Sequence, residues 1–207
     1  MEEDKPLQKM AEAFKELSNG LNQFPEGEEA CLEVAAFSKA CSLLSPLIRC
    51  LGGVFLFAEI DYVAKVNDLV EASKSISVLP LMIDDDVRSD RVHKAGSHTR
   101  NLLRVNRTLH LIKVFFEQIM SSEGNSLKDP ASKAYSQVFS SYHGWAVRKD
   151  VTASVYDALP TKAEMLNKLN EDDTSSRIHM QSIISSAAQV SEHIDQLFIS
   201  RGLGTDW

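Results

Sequence analysis

The segment Ala95–Met120, AGSHTRNLLRVNRTLHLIKVFFEQIM, decides the fold. It contains no proline and no glycine after Gly96, and its helical periodicity persists to the end, so it predicts one long helix. Leu102, Val105, Leu109, Ile112, Phe116 and Ile119 recur at steps of three and four, which places them on one stripe of a helix turning about 100° per residue. Arg100, Arg104 and Arg107 share the opposite stripe, and that stripe continues through Leu111, Val114 and Phe115. A helix that is apolar on both faces is a buried one. Three cations therefore stand in line with core positions.

Three chemistries compete for such a triplet. A solvated face is the commonest, but the apolar continuation of the stripe sets these arginines at the border of a buried layer. A nucleic-acid groove calls for a basic footprint, and this chain carries a formal net charge of −7. The third is a discrete anion site, because guanidinium forks grip phosphate bidentately and stay charged when partly desolvated.

With 207 residues, 43% hydrophobic and 25% charged, the chain fits a single domain, 1–207, with a substantial core. The opening MEEDKPLQKM is acidic and polar, unlike a signal peptide. The most apolar run, Leu51 to Ala58, is far shorter than the roughly 20 residues that span a bilayer. The expectation is a soluble, cytoplasmic protein. Cys31, Cys41 and Cys50 match no common zinc spacing and lie in apolar helical sequence, which reads as three reduced core residues.

Upstream, Leu7, Met10, Phe14, Leu17 and Leu21 predict an amphipathic helix ending between Gly20 and Pro25. Glu28–Arg49 reads as a second helix that Pro46 kinks or ends. Gly52 and Gly53 precede a third, with Tyr62, Val66 and Leu69 on one face and Asp61, Lys65 and Asp68 on the other. Asp61 and Lys65 alone are an ordinary (i, i+4) surface pair. Val54 and Phe57, near the same stripe, hint that another element covers it. Ser75–Arg91, with Pro80 and the run Asp84–Asp86, reads as a long surface connection whose acidic run solvates or caps a helix start.

Downstream, Asp129–Pro130 opens a helix with Tyr135, Val138, Phe139, Tyr142 and Ala146 spaced for burial. Inside it lies YHGW, Tyr142–Trp145. A mid-helix glycine costs roughly 1 kcal/mol relative to alanine, which suggests a close approach at Gly144. His143 is either a core histidine satisfied by a carbonyl or a donor and acceptor at a polar site, and Trp145 either core or a membrane-surface anchor. Thr161 with Glu164 forms a capping box for a short helix, and Thr174 is expected to cap a final long one ended by Gly202. No strand-like alternation of useful length occurs, so the chain is all-α, with helices enough for two packed layers. Motifs for nucleophilic, metal or nucleotide chemistry are missing, which favours binding without turnover, with no cofactor.

An Asp with a basic residue four positions later, a central helix with LLxxxR and a later YHGW, in that order, resemble the glycolipid transfer protein superfamily. The likeness runs from about Phe37 to the end of the sequence. It implies a two-layer all-α sandwich that takes sphingolipid chains between its layers. Where the glycolipid branch has an asparagine, this chain has Lys65; where it has a sugar-stacking tryptophan, this chain has Arg104. A phosphomonoester carries about −1.5 to −2 charges near neutral pH, so the exchange points to the ceramide-1-phosphate branch, which in plants is tied to control of programmed cell death. By resemblance, Asp61 accepts the ceramide amide N–H, His143 donates to the amide carbonyl, and Lys65, Arg100 and Arg104 hold the phosphate. Arg107 is assigned a supporting role, orienting Asp61 or Asp68 or meeting anionic lipid. Phe37, Leu44, Phe55, Phe116 and Phe139 are the candidate pocket walls. Trp145, Arg148 and Lys149 are the candidate sites of transient peripheral membrane contact.

Overall fold

The computed structural model describes residues 5–25, 28–150 and 155–207. Among these residues it holds α1 (Pro6–Leu21), α2 (Val34–Ser42), α3 (Ser45–Cys50), α4 (Leu56–Ala72), α5 (Leu79–Arg88), α6 (His98–Met120), α7 (Lys128–Val138), α8 (Trp145–Asp150), α9 (Lys162–Lys168) and α10 (Asp173–Ser200). Single turns of 3-10 helix at Gly53–Phe55 and Tyr156–Ala158 link α3 to α4 and lead towards α9. Two isolated bridges, Glu33 with Val78 and Ser126 with Thr161, are the β-pairing among the described residues. The architecture is the all-α, two-layer sandwich expected.

Helix α6 is central. The Ser97 hydroxyl accepts the Arg100 N–H at 3.0 Å to start it, and its predicted stripe from Leu102 to Ile119 is buried. It packs against α4, α5, α7 and α10, while α1 covers α10 and α2 covers α4. Phe14, Phe37, Phe116 and Phe198 are fully buried where these helices meet.

Several local readings change. The helix expected over Glu28–Arg49 begins only at Val34, because residues 32–34 run antiparallel to 77–79: Val34 N–H donates to Ser77 O and Leu79 N–H to Leu32 O. Pro46 then falls in the first turn of α3, where a missing N–H costs nothing. Ser75–Arg91 is no long connection, since α5 lies within it with Pro80 in its own first turn. Leu79, Met82, Ile83 and Asp86 form its buried face, a period that the acidic run masks. The buried Asp86 carboxylate accepts the Thr99 N–H at 2.9 Å in the first turn of α6, where a negative charge is favoured. The acidic run does cap a helix start.

YHGW does not lie within the helix that Asp129–Pro130 opens either. Helix α7 stops at Val138 and α8 begins at Trp145, with turns between them. A Cβ on Gly144 would meet nothing within 4 Å, so no close approach explains this glycine. The capping box at Thr161 and Glu164 is present, but α10 is capped by Asp172 with Ser175 rather than by Thr174. Cys41 and Cys50 are buried, whereas Cys31 is exposed at the bridged segment that replaces the expected helix. Arg201 clasps three parts together, holding Glu29 at 2.9 and 3.1 Å and Asp84 at 2.6 and 3.2 Å from the end of α10.

Candidate functional site

A cavity of about 560 Å³ opens between α3–α4, α6 and the segment that follows α7. Its walls are apolar over most of their area: Leu47, Ile48, Leu51 and Phe55 on one side, Leu111, Ile112 and Phe115 from α6, and Ala131, Ala134 and Phe139 opposite. This accounts for the double-faced apolarity of α6. One stripe fills the core, and Leu111 and Phe115 on the other face the cavity.

The polar lining comes from few residues. Asp61 and Lys65 on α4, Arg104 and Arg107 on α6, and His143 after α7 all line the same cavity. Lys65 forms an ion pair with Asp61 and also lies 3.3 Å from the Asp61 carbonyl oxygen. Its side chain is 16% exposed against 73% for Asp61, so the ammonium is tucked in while the carboxylate faces outward. Arg104 makes no hydrogen bond or ion pair with its guanidinium among the described residues, which leaves its fork of donors unused. Arg100, one turn earlier, is half-buried and outside the cavity wall.

Arg107 does something other than expected. It orients neither Asp61 nor Asp68. Its guanidinium donates to the carbonyl oxygens of Thr205, at 2.7 Å, and of Trp207, and lies 3.7 Å above the Tyr142 ring. Burial lowers its pKa, with neighbouring Arg104 adding to that effect and Tyr142 opposing it. Asp68 is instead held by His98 Nδ1 at 2.9 Å and by the Asn101 amide at 2.8 Å.

His143 is positioned by Tyr135, whose hydroxyl lies 2.7 Å from Nδ1, and by stacking on Phe139 at 5.6 Å between centroids. Burial lowers the His143 pKa and raises that of Tyr135, so a neutral imidazole faces a protonated phenol. If the phenol donates to Nδ1, the ring proton sits on Nε2, the tautomer able to donate to a ligand carbonyl. Sequence reasoning missed Tyr135 because its eight-residue separation from His143 is bridged by a break in the helix, not by one face of it.

Among the expected pocket walls, Phe55 and Phe139 line the cavity. Phe37, Leu44 and Phe116 do not: each is fully buried in the core, because the stripes that carry them face α1, α4 and α10 rather than the gap. Trp145 is 70% exposed, with Lys149 Nζ 5.1 Å from its ring and Arg148 bonded to Ser140 O at 3.2 Å. The cover hinted at by Val54 and Phe57 is not there: they are 47% and 83% exposed and, with the exposed Leu56 and Ile60, form a second apolar group at the start of α4. Val54 and His143 both line the cavity, so the two groups flank it. No helix among the described residues is long and apolar enough to cross a membrane.

A family model described as Glycolipid transfer protein (GLTP) matches residues 32–171. The chain is 57% identical over 207 residues to Accelerated cell death 11 of Arabidopsis thaliana, covering all of this chain and 98% of that protein. It is 28% identical over 162 residues to the mouse Ceramide-1-phosphate transfer protein, covering 71% of this chain and 73% of that one. Among solved structures it superposes at a TM-score of 0.94 on an Asp-to-Asn variant of the Arabidopsis protein complexed with ceramide-1-phosphate, at 56% identity and over all of both chains. The unliganded mouse ceramide-1-phosphate transfer protein gives a TM-score of 0.81 at 23% identity, over 95% of this chain and 97% of that one, a likeness of fold. The chain belongs to the glycolipid transfer protein family.

Proposed function

We propose that this protein moves ceramide-1-phosphate between membranes without vesicles and without chemical turnover. The observation that carries the reading is that Lys65 and Arg104 line the same cavity, whose walls are apolar over most of their area. Phosphate satisfies both cations, and the apolar walls replace the bilayer for the chains. A ceramide with roughly 30 chain methylenes at about 0.8 kcal/mol each resists leaving a membrane by on the order of 24 kcal/mol, so spontaneous exchange is slow and a carrier that supplies an equivalent apolar surface accelerates it.

In this reading Lys65 and Arg104 hold the phosphate, and Arg100 attracts it from one turn away. Asp61 accepts the amide N–H and His143 donates to the amide carbonyl. Val54, Leu56, Phe57 and Ile60, with Trp145, rest on the membrane surface around the cavity mouth, and Arg148 and Lys149 meet anionic headgroups. The name of the Arabidopsis relative ties it to cell death, and we assign this chain to the same process in a cytoplasmic setting.

The test is transfer of fluorescent sphingolipids between vesicles, comparing ceramide-1-phosphate with a neutral glycosylceramide for the wild type and Arg104→Ala. Selective movement of the phosphorylated lipid, lost in the variant, is expected. Equal movement of both lipids would refute the phosphate assignment, and tight retention without release would mark a sensor in place of a carrier.

A further inference from the structure

After α10 the chain turns back on itself. Gly202 and Gly204 both take positive φ, 67° and 66°, which side chains disfavour. Leu203 N–H donates to Phe198 O at 3.0 Å and Gly202 N–H to Ile199 O at 2.9 Å, closing the helix end and sending residues 203–207 across its neighbours. Arg107 then holds the segment by the carbonyls of Thr205 and Trp207, and the Tyr142 hydroxyl reaches Thr205 O at 3.4 Å. The Trp207 indole N–H is used internally, donating to Leu203 O at 2.9 Å, and its ring meets His93 edge-on at 4.3 Å and Phe198 at 6.3 Å. Trp207 also lines the cavity, and its indole donor is already spent inside the strap.

Arg107, which holds Trp207, is one turn from Arg104 on α6, and all three line the cavity, which sets Trp207 beside its cations. A phosphomonoester ends at its phosphate; a phosphodiester continues into an alcohol that needs room beyond it. We infer that Trp207, latched by Arg107, is the end wall of the headgroup site and sets the largest headgroup it admits, excluding phosphodiesters. Arg107 is a positioning residue here. Its Nη2 is engaged by the backbone of the strap, and it acts on headgroup choice through Trp207. The inference rests on the transfer function proposed above.

The experiment measures vesicle-to-vesicle transfer of ceramide-1-phosphate and of ceramide phosphoethanolamine, and the readout is their ratio. Trp207→Ala and Arg107→Gln are expected to raise the phosphodiester-to-monoester ratio on the order of tenfold, the scale of discrimination that one pocket contact supplies. Trp207→Phe, which keeps an aromatic wall, restores most of the wild-type ratio. Melting curves run on each protein separate loss of the wall from loss of the fold, which would lower both lipids together and leave the ratio unmoved. An unchanged ratio in folded Trp207→Ala overturns the inference while leaving the transfer function intact, and so does a wild type that moves both lipids equally. A wild type that moves neither lipid removes the transfer function and the inference with it.

Discussion

Lys65 folds back onto Asp61, one turn earlier on α4, so the cavity's ammonium is neutralised by a carboxylate before any ligand arrives. Arg104, across the cavity on α6, has no such partner among the described residues. The two cations thus enter binding from different starting points. In the proposed function, phosphate draws Lys65 away from Asp61 while Arg104 is available at once, and the freed Asp61 carboxylate becomes an acceptor for an amide N–H. Binding of the phosphate and of the amide are coupled in that function through this one ion pair.

Lys65→Ala is expected to cut ceramide-1-phosphate transfer by about 10- to 100-fold, since a charge-assisted hydrogen bond contributes about 1.5–3 kcal/mol and about 1.4 kcal/mol is a decade. Melting temperature should hold, because an ion pair with its carboxylate in solvent contributes little to stability. Asp61→Val should lose more transfer than Asp61→Asn, which keeps a carbonyl acceptor. Vesicle transfer assays on the three variants check this order, and a Val variant as active as the wild type would remove Asp61 from the site.

The long helix was legible because its 23 residues carry an uninterrupted period, and Arg104 and Lys65, at fixed registers on two helices, come to line one cavity. What was not legible depends on contacts between distant segments. The start of α2 was set by backbone bonds from Val34 and Leu32 to residues 77–79, which no local pattern records. Phe37 and Phe55 look equally apolar in sequence, yet one is sealed in the core and the other faces the cavity. The latch between Arg107 and Trp207 spans a hundred residues, and its local signal is only the pair of closely spaced glycines, Gly202 and Gly204.

Acid should destabilise the fold. Burial lowers the pKa of His110, His143 and His193 below the ordinary 6.5. The unfolded chain therefore takes up protons first as pH falls through that value, so the stabilising contribution is complete above it and is lost below it. Asp195 works the other way, since burial raises its carboxyl and acid relieves that cost, but it is one group against three. Urea midpoints at about pH 7.5 and about pH 5.5 measure the balance. A midpoint that rises towards acid would mean that Asp195 dominates.

Membrane contact can be separated from stability at Phe57. Its side chain is 83% exposed and takes almost no part in packing, so replacing it should change stability by no more than about 0.5 kcal/mol. The same exposure is costly in water and favourable at a lipid surface, and the exposed Val54, Leu56 and Ile60 at the start of α4 make it one of a group rather than an isolated apolar residue. Phe57→Asp should thus weaken sedimentation with vesicles and slow transfer, while direct binding of a short-chain, water-soluble ceramide-1-phosphate stays at the wild-type level. Trp145→Ala should act in the same direction, and the double variant should be the slowest. Loss of short-chain lipid binding in Phe57→Asp would place Phe57 in the binding site and take the docking surface away from α4.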